Sequence, residues 1–184
     1  ENKVIHFCSK RDVDGNQTKD LRATVDYKLG DNVQTDDHVD LTATVQVLQP
    51  DTLSTAKVPE KTYDGWVLDN ITINGSIVKR LPETVHHGDE VVFNYAKDAN
   101  EDDIPDYKQV IVYFHAGANG SVSGKTTQAF PAKEDGSYVT FTPEEVSTTA
   151  NAGYAFDIWT KDEGTTGVNP FAETVATAGT TITY

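Results

Sequence analysis

The chain is poor in several things at once: one cysteine, no methionine, two tryptophans and about half as many basic as acidic residues in 184 positions. With Cys8 alone, no disulfide can form inside the chain. Cys8 ends the apolar run Val4 to Cys8 and reads as a half-buried, inert thiol. No stretch of about 18 apolar residues exists, so no helix is predicted to span a membrane. No signal-peptide pattern opens the chain, and it starts at Glu1 rather than methionine, so it reads as a piece of a larger protein. Lys and Arg total 15 against 29 Asp and Glu, a formal net charge of −14. Phosphate recognition needs clustered cations, so nucleic acid is excluded as a partner, and so is an anionic membrane surface.

What is present is strand signal. Leu21, Ala23, Val25, Tyr27 and Leu29 alternate with polar residues, the period of a strand with one buried face. Leu41, Ala43, Val45 and Val47 repeat it, with an acidic loop expected over 31–40. Val4–Phe7, Trp66–Leu68, Ile71–Ile73, Val91–Tyr95, Val110–Phe114, Gly153–Trp159 and Thr180–Tyr184 read as further strands. Lys125–Phe130 and Ser137–Phe141 read as a hairpin around Glu134-Asp135-Gly136. Asp12 to Asn16, Asn74-Gly75, His86 to Asp89 and Gly117 to Gly124 carry turn chemistry. Short helical turns are expected at Pro50–Ser54 and at Thr142-Pro143-Glu144-Glu145, where a hydroxyl precedes proline.

Asp98 to Asp106 interrupts the pattern with five acidic residues and a proline. A run of this kind cannot pack a core, so it reads as a linker between blocks 1–97 and 107–184. Asp98, Asn100, Asp102 and Asp106 also fall at positions 1, 3, 5 and 9 of a calcium-loop pattern. They resemble Asp-rich calcium repeats with an Asp-Gly-Ile-Pro-Asp core. Two departures stand out: Asp103 replaces the turn glycine, and Gln109 replaces the bidentate glutamate. Calcium and a solvated linker both stay open at this point.

The two blocks share short segments in the same order. Lys3–Phe7 parallels Gln109–Tyr113, Pro50–Thr55 parallels Pro143–Thr148, and Gly65–Asp69 parallels Gly153–Asp157. Glu83-Thr84-Val85 with Gly88 and Tyr95 parallels Glu173-Thr174-Val175 with Gly179 and Tyr184. Four matches in one order predict an internal duplication.

Chemistry-bearing residues are few. Cys8 with His6 or His115 lacks any nucleophile signature, so no catalytic residue is assigned. His86-His87 reads as a polar turn, since neighbours on a strand face opposite ways. Trp66, Trp159, Tyr63 and Tyr154 are aromatics for either a sugar platform or the core, and the core reading is preferred. Lys3 and Asn94 are candidates for an intramolecular isopeptide bond, with a solvated lysine and an edge asparagine as the default.

The opening strand with Asp12-Val13-Asp14-Gly15-Asn16 resembles mucin-binding-type repeats (MucBP, Mub-like) of Gram-positive surface proteins. Gly153-Tyr154-Ala155-Phe156 with Trp159 resembles internalin B-type repeats. Cys8-Ser9-Lys10-Arg11 stands where the first family carries an acidic residue. The resemblance implies two similar ubiquitin-like β-grasp modules end to end in an elongated, mainly β chain. It further implies export, cell-wall anchoring through a region outside this sequence, and a monomeric unit in a tandem array. The implied function is non-enzymatic adhesion to host mucin glycans or immunoglobulin. Alternatives are a passive spacer of a wall-anchored protein and a carbohydrate-binding module of an extracellular enzyme.

Overall fold

A computed structural model of the chain describes residues 12, 15, 18–31, 33–46, 50–133 and 137–184. The segment Val4–Phe7 expected as a strand, with Lys3, His6 and Cys8, the expected turn positions Val13, Asp14 and Asn16, Val47, and Glu134-Asp135-Gly136 lie outside the described residues. The fold is mainly β, and the helical content among the described residues is one 3-10 turn, Asp106–Lys108. The chain divides into two compact units, 1–63 with 68–96, and 64–67 with 97–184. Residues 98–106 thus count with the second unit.

In the first unit, β1 (Thr18–Leu29) and β2 (Val33–Gln46) form a long antiparallel hairpin with Val25 opposite Val39. With β4 (Trp66–Ile73), β5 (Ser76–Val78) and β7 (Glu90–Lys97) they make one sheet, ordered β2-β1-β7-β4-β5. β1 and β7 run parallel, with Tyr27 opposite Phe93. The alternation in β1 is the one the sequence predicts: Leu21, Ala23, Val25 and Tyr27 are buried. Val91, Phe93 and Tyr95 of β7 are buried too, and the Tyr27 and Phe93 rings stack at 5.1 Å. Buried tyrosines keep a polar end satisfied. Here Tyr27 Oη donates to the Pro59 carbonyl (2.6 Å), and Tyr95 Oη donates to the Lys61 carbonyl (2.7 Å).

Three local expectations change in this unit. Residues 33–40 are strand rather than loop. β2 is the sheet's edge, where charges are tolerated on the open side. Its acids take partners: Arg22 Nη2 lies 2.9 Å from Asp40, and Lys61 Nζ lies 2.8 Å from Asp37. The helical turn expected at Pro50–Ser54 is instead β3 (Thr52–Ser54), paired with β6 (Thr84–His86). Leu53 and Val85, opposite each other, are both buried, which outweighs local propensity. The Trp66–Leu68 and Ile71–Ile73 runs are one strand, β4. Asn74 and Gly75 both have positive φ (51° and 78°), the turn that matches strand twist, and they join β4 to β5.

In the second unit, β8 (Gln109–Tyr113) has an antiparallel neighbour, β10 (Thr127–Pro131), and a parallel one, β14 (Thr181–Thr183). β11 (Tyr138–Phe141) pairs with β13 (Thr174–Thr177), and β9 (Gly120–Ser123) pairs with β12 (Ser147–Ala150). Val110, Val112, Phe114, Val139, Phe141, Ile182 and Tyr184 form the core. Phe114 is its hub, within 5.7 Å of the rings of Trp159, Phe171 and Tyr184.

Corrections fall here as well. The 125–130 and 137–141 segments do not pair with each other, since β8 and β13 take their ladders. Gly120–Ser123, expected as turn, is a strand. A Cβ on Gly120 would sit 3.0 Å from the Thr149 carbonyl, so glycine permits that close approach. Thr142–Glu145 is not helical. Buried Gln128 captures the Glu144 main chain from both sides: Glu144 N donates to Gln128 Oε1 (2.7 Å), and Gln128 Nε2 donates to the Glu144 carbonyl (2.8 Å). Residues 153–157 join no ladder, and Trp159 makes only a single bridge, to Val168.

One arrangement occurs in both units. Thr24 pairs with Glu90 as Ile111 pairs with Thr181. Gly88 N donates to the Arg22 carbonyl (2.7 Å) as Gly179 N donates to the Gln109 carbonyl (2.8 Å). Counting three residues on, Phe93 occupies the place of Tyr184, and Tyr27 that of Phe114; both pairs stack. By this register Tyr95 lies beyond the equivalent of Tyr184. The strand that pairs as β3 does is β11, not the Pro143–Thr148 segment.

Candidate functional site

Two places carry binding chemistry, both within the second unit. The first is the acidic loop. Asp98 is buried, and its carboxylate accepts the N–H of Asp102 (3.2 Å) and of Asp103 (3.0 Å). Asp106 accepts the N–H of Ala99 (3.0 Å). These bonds curl the loop back on itself. Asp103 adopts φ +64°, the left-handed backbone that a glycine would take without strain. Asn100 Nδ2 donates to Asp102 Oδ2 (2.8 Å).

Gln109, at the start of β8, closes the loop from below. Its side chain is fully buried. Nε2 donates to Asp102 Oδ1 (3.0 Å) and to the Ile104 carbonyl (3.0 Å), and it lies 3.4 Å from Asn100 Oδ1. Of the four residues the sequence pattern singles out, Asn100 and Asp102 therefore converge on one point. Asp98 and Asp106 are directed at main-chain N–H groups. Among the described residues, no three His, Cys, Asp or Glu side chains gather as a metal-holding group. The oxygens that do converge come from one carboxylate, one side-chain amide and one carbonyl, hard donors that suit calcium. Gln109 was legible only as a departure from a motif; its burial comes from its place in β8.

The second place is a cleft of about 400 Å³ lined by His115, Asn119, Thr149, Tyr154, Phe156 and Trp159, among others. Tyr154 is 60% exposed and Phe156 52% exposed. The Phe156 ring lies 5.7 Å from that of Trp159, which packs inward on Phe114. The aromatics divide by role. Trp159 anchors against the core while Tyr154 does not, so the core reading fails at Tyr154. Because residues 153–157 join no ladder, their side chains stand free of a sheet face.

No protein-family model, curated protein or solved structure matches the chain. Tyr63 donates to Asp37 (2.6 Å) and meets Tyr95 edge-on at 4.9 Å, a structural role. Trp66 lies under Lys97 Nζ at 5.1 Å. His87 Nδ1 accepts the Arg22 N–H (3.0 Å), while His86 Nδ1 sits 3.8 Å from Asp89, so the two rings do not share a ligand. Asn94 donates to Asn70 Oδ1 (3.0 Å).

Charge is concentrated on the β1–β2 hairpin. His38 Nδ1 is 2.7 Å from Asp26 and Nε2 is 3.2 Å from Asp40. The hydrogen bond to Asp26, then that to Asp40, holds the imidazolium above its ordinary range. Arg22 and then His38 hold Asp40 below the usual carboxylate range, and Lys61 and then Tyr63 do so for Asp37. Burial, with the bond to Asp37, pushes Tyr63 up to about 12. Burial, with Tyr95 nearby, pushes Tyr27 to about 12.

Proposed function

We propose that the chain is a non-enzymatic binding segment of a bacterial surface adhesin, built from two copies of one β unit, whose second copy takes host mucus glycan. The observation that carries this reading is the Tyr154–Phe156–Trp159 cleft. Sugar rings present an apolar C–H face and a hydroxyl rim. The cleft offers exposed aromatic surface beside Asn119, Thr148 and Thr149, the mix of apolar walls and few polar groups expected of a ligand site. Its volume falls in the range of about 300–1,000 Å³ typical of such sites.

The tandem reading is supported by the strand pattern common to both units. Each sets one strand between an antiparallel and a parallel neighbour, with a glycine turn leading into the parallel one. The β-grasp identity and the end-to-end layout belong to this proposal. Weak single sites suit a repeated module, since linked sites gain through effective concentration. The net charge of −14 favours a neutral or cationic ligand.

The test is saturable binding of the chain to mucin, to defined mucin-type glycans and to immunoglobulin. Glycan binding that falls at least tenfold on Tyr154→Ala, with an unchanged circular dichroism spectrum, supports the cleft. Binding to immunoglobulin alone moves the partner away from glycan. Absence of binding at hundreds of micromolar leaves the spacer role.

A further inference from the structure

The Tyr154–Phe156–Trp159 cleft holds one carboxylate, Asp157, and no lysine or arginine among its lining residues. Asp157 is exposed and belongs to the run 153–157 that joins no ladder, so it shares one free segment with Tyr154 and Phe156. The cations closest in sequence to the cleft walls face other acids. Lys161 Nζ lies 4.0 Å from Asp162, and Lys125, just past β9, lies 3.2 Å from Glu144.

Distance decides which charge matters here. Salt screens interactions beyond about 8 Å at physiological ionic strength. A space of about 400 Å³ is roughly 7 Å across, so a charge seated in it lies within that screening length of Asp157. The local carboxylate, more than the net charge of −14, therefore sets the sign of what the cleft accepts. Sugar hydroxyls donate to a carboxylate, and such bonds are stronger than neutral ones. An ionised carboxylate or sulfate on the sugar offers acceptors only, and it brings like charge against an aromatic wall. Asn119, Thr148 and Thr149 can donate to an anion, but they bring no positive charge to offset Asp157.

We infer that the cleft takes an uncharged sugar and turns away sugars bearing a carboxylate or a sulfate, with Asp157 as the discriminating residue. This rests on the glycan reading of the cleft: within it, neutral ends of a mucin-type glycan are admitted and acidic ends refused. Tyr154 and Phe156 meet the apolar face that both kinds of sugar present, so they set affinity. Asp157 sets the choice between them.

The test uses matched mucin-type glycans, one with an uncharged end and its counterparts ending in sialic acid or sulfate. Each is titrated calorimetrically into the full chain at about pH 8, where an ordinary histidine is uncharged. The uncharged glycan is expected to bind at least tenfold more tightly than either acidic one. Asp157→Asn keeps the shape, removes the charge and is expected to bring that ratio below three. In the wild type the ratio is expected to narrow as salt rises from about 0.01 M to about 1 M, because the screening length falls from about 30 Å to about 3 Å. Acidic glycans that bind as tightly as the uncharged one, or more tightly, overturn the inference and leave the cleft a glycan site. A ratio that Asp157→Asn leaves unchanged overturns that residue's part, and a ratio that salt leaves unchanged overturns charge as its cause. Binding of neither form at hundreds of micromolar overturns the glycan reading, and this inference with it.

Discussion

Asp103 holds φ +64° with a side chain attached, a backbone conformation that glycine adopts at less cost than aspartate. Asp103→Gly removes that cost while loosening the unfolded chain. The net expectation is a gain of about 0.5–1 kcal/mol, read by urea denaturation in the absence of calcium. The charged hairpin sets a pH window. His38 has its folded value raised above 6.5, so its contribution is complete below 6.5 and fades as pH rises through the raised value. Asp40 and Asp37 have folded values below 3.8, so theirs is present above 3.8 and fades as pH falls through the lowered values. Proton NMR is expected to place the His38 midpoint above 6.5, and His38→Asn is expected to abolish the loss on that side. Tyr27 and Tyr63 are expected to ionise near 12, not 10, in an ultraviolet titration. Folding favours their neutral forms, so their contribution is whole below pH 10 and is lost as pH climbs toward 12. These partners lie far apart in sequence: Asp37 meets Tyr63 across 26 positions. No local pattern in the chain reveals them.

At the scale of elements, the legible parts are those written in local chemistry. The β1 alternation appears as the buried face Leu21, Ala23, Val25 and Tyr27, and Asn74-Gly75 appears as the turn between β4 and β5. Gly75 has open space around its Cβ position but φ +78°, so Gly75→Ala meets only backbone strain. A loss of about 1 kcal/mol in thermal or urea unfolding is expected. What the sequence hides is decided by distant partners. Thr52–Ser54 is strand because Val85 lies opposite Leu53, and Thr142–Glu145 fails to coil because Gln128 takes the Glu144 main chain. Gln128→Leu keeps the volume and removes both bonds. It is expected to cost about 2 kcal/mol, measured by urea denaturation. The edge strand β2 was masked by its own acids, whose neutralising partners sit on β1 and near residues 61–63.

Over the whole chain, the strand arrangement common to both units is partly visible in sequence. The Thr84-Val85 and Thr174-Val175 segments with Gly88 and Gly179 do occupy like places in their ladders. The Gly65–Asp69 and Gly153–Asp157 segments do not, since the first begins a strand and the second stays outside every ladder. That difference frees Tyr154 and Phe156 to line a cleft, so the place where the two units differ is also the place of the proposed ligand site. The most direct measurement is an NMR titration of the ¹⁵N-labelled chain with mucin-type glycans. The account predicts saturable shifts confined to the cleft, at residues 115–121, 148–150 and 154–160, and their loss in Tyr154→Ala. Shifts centred elsewhere on the chain, or shifts that persist in that variant, would contradict it.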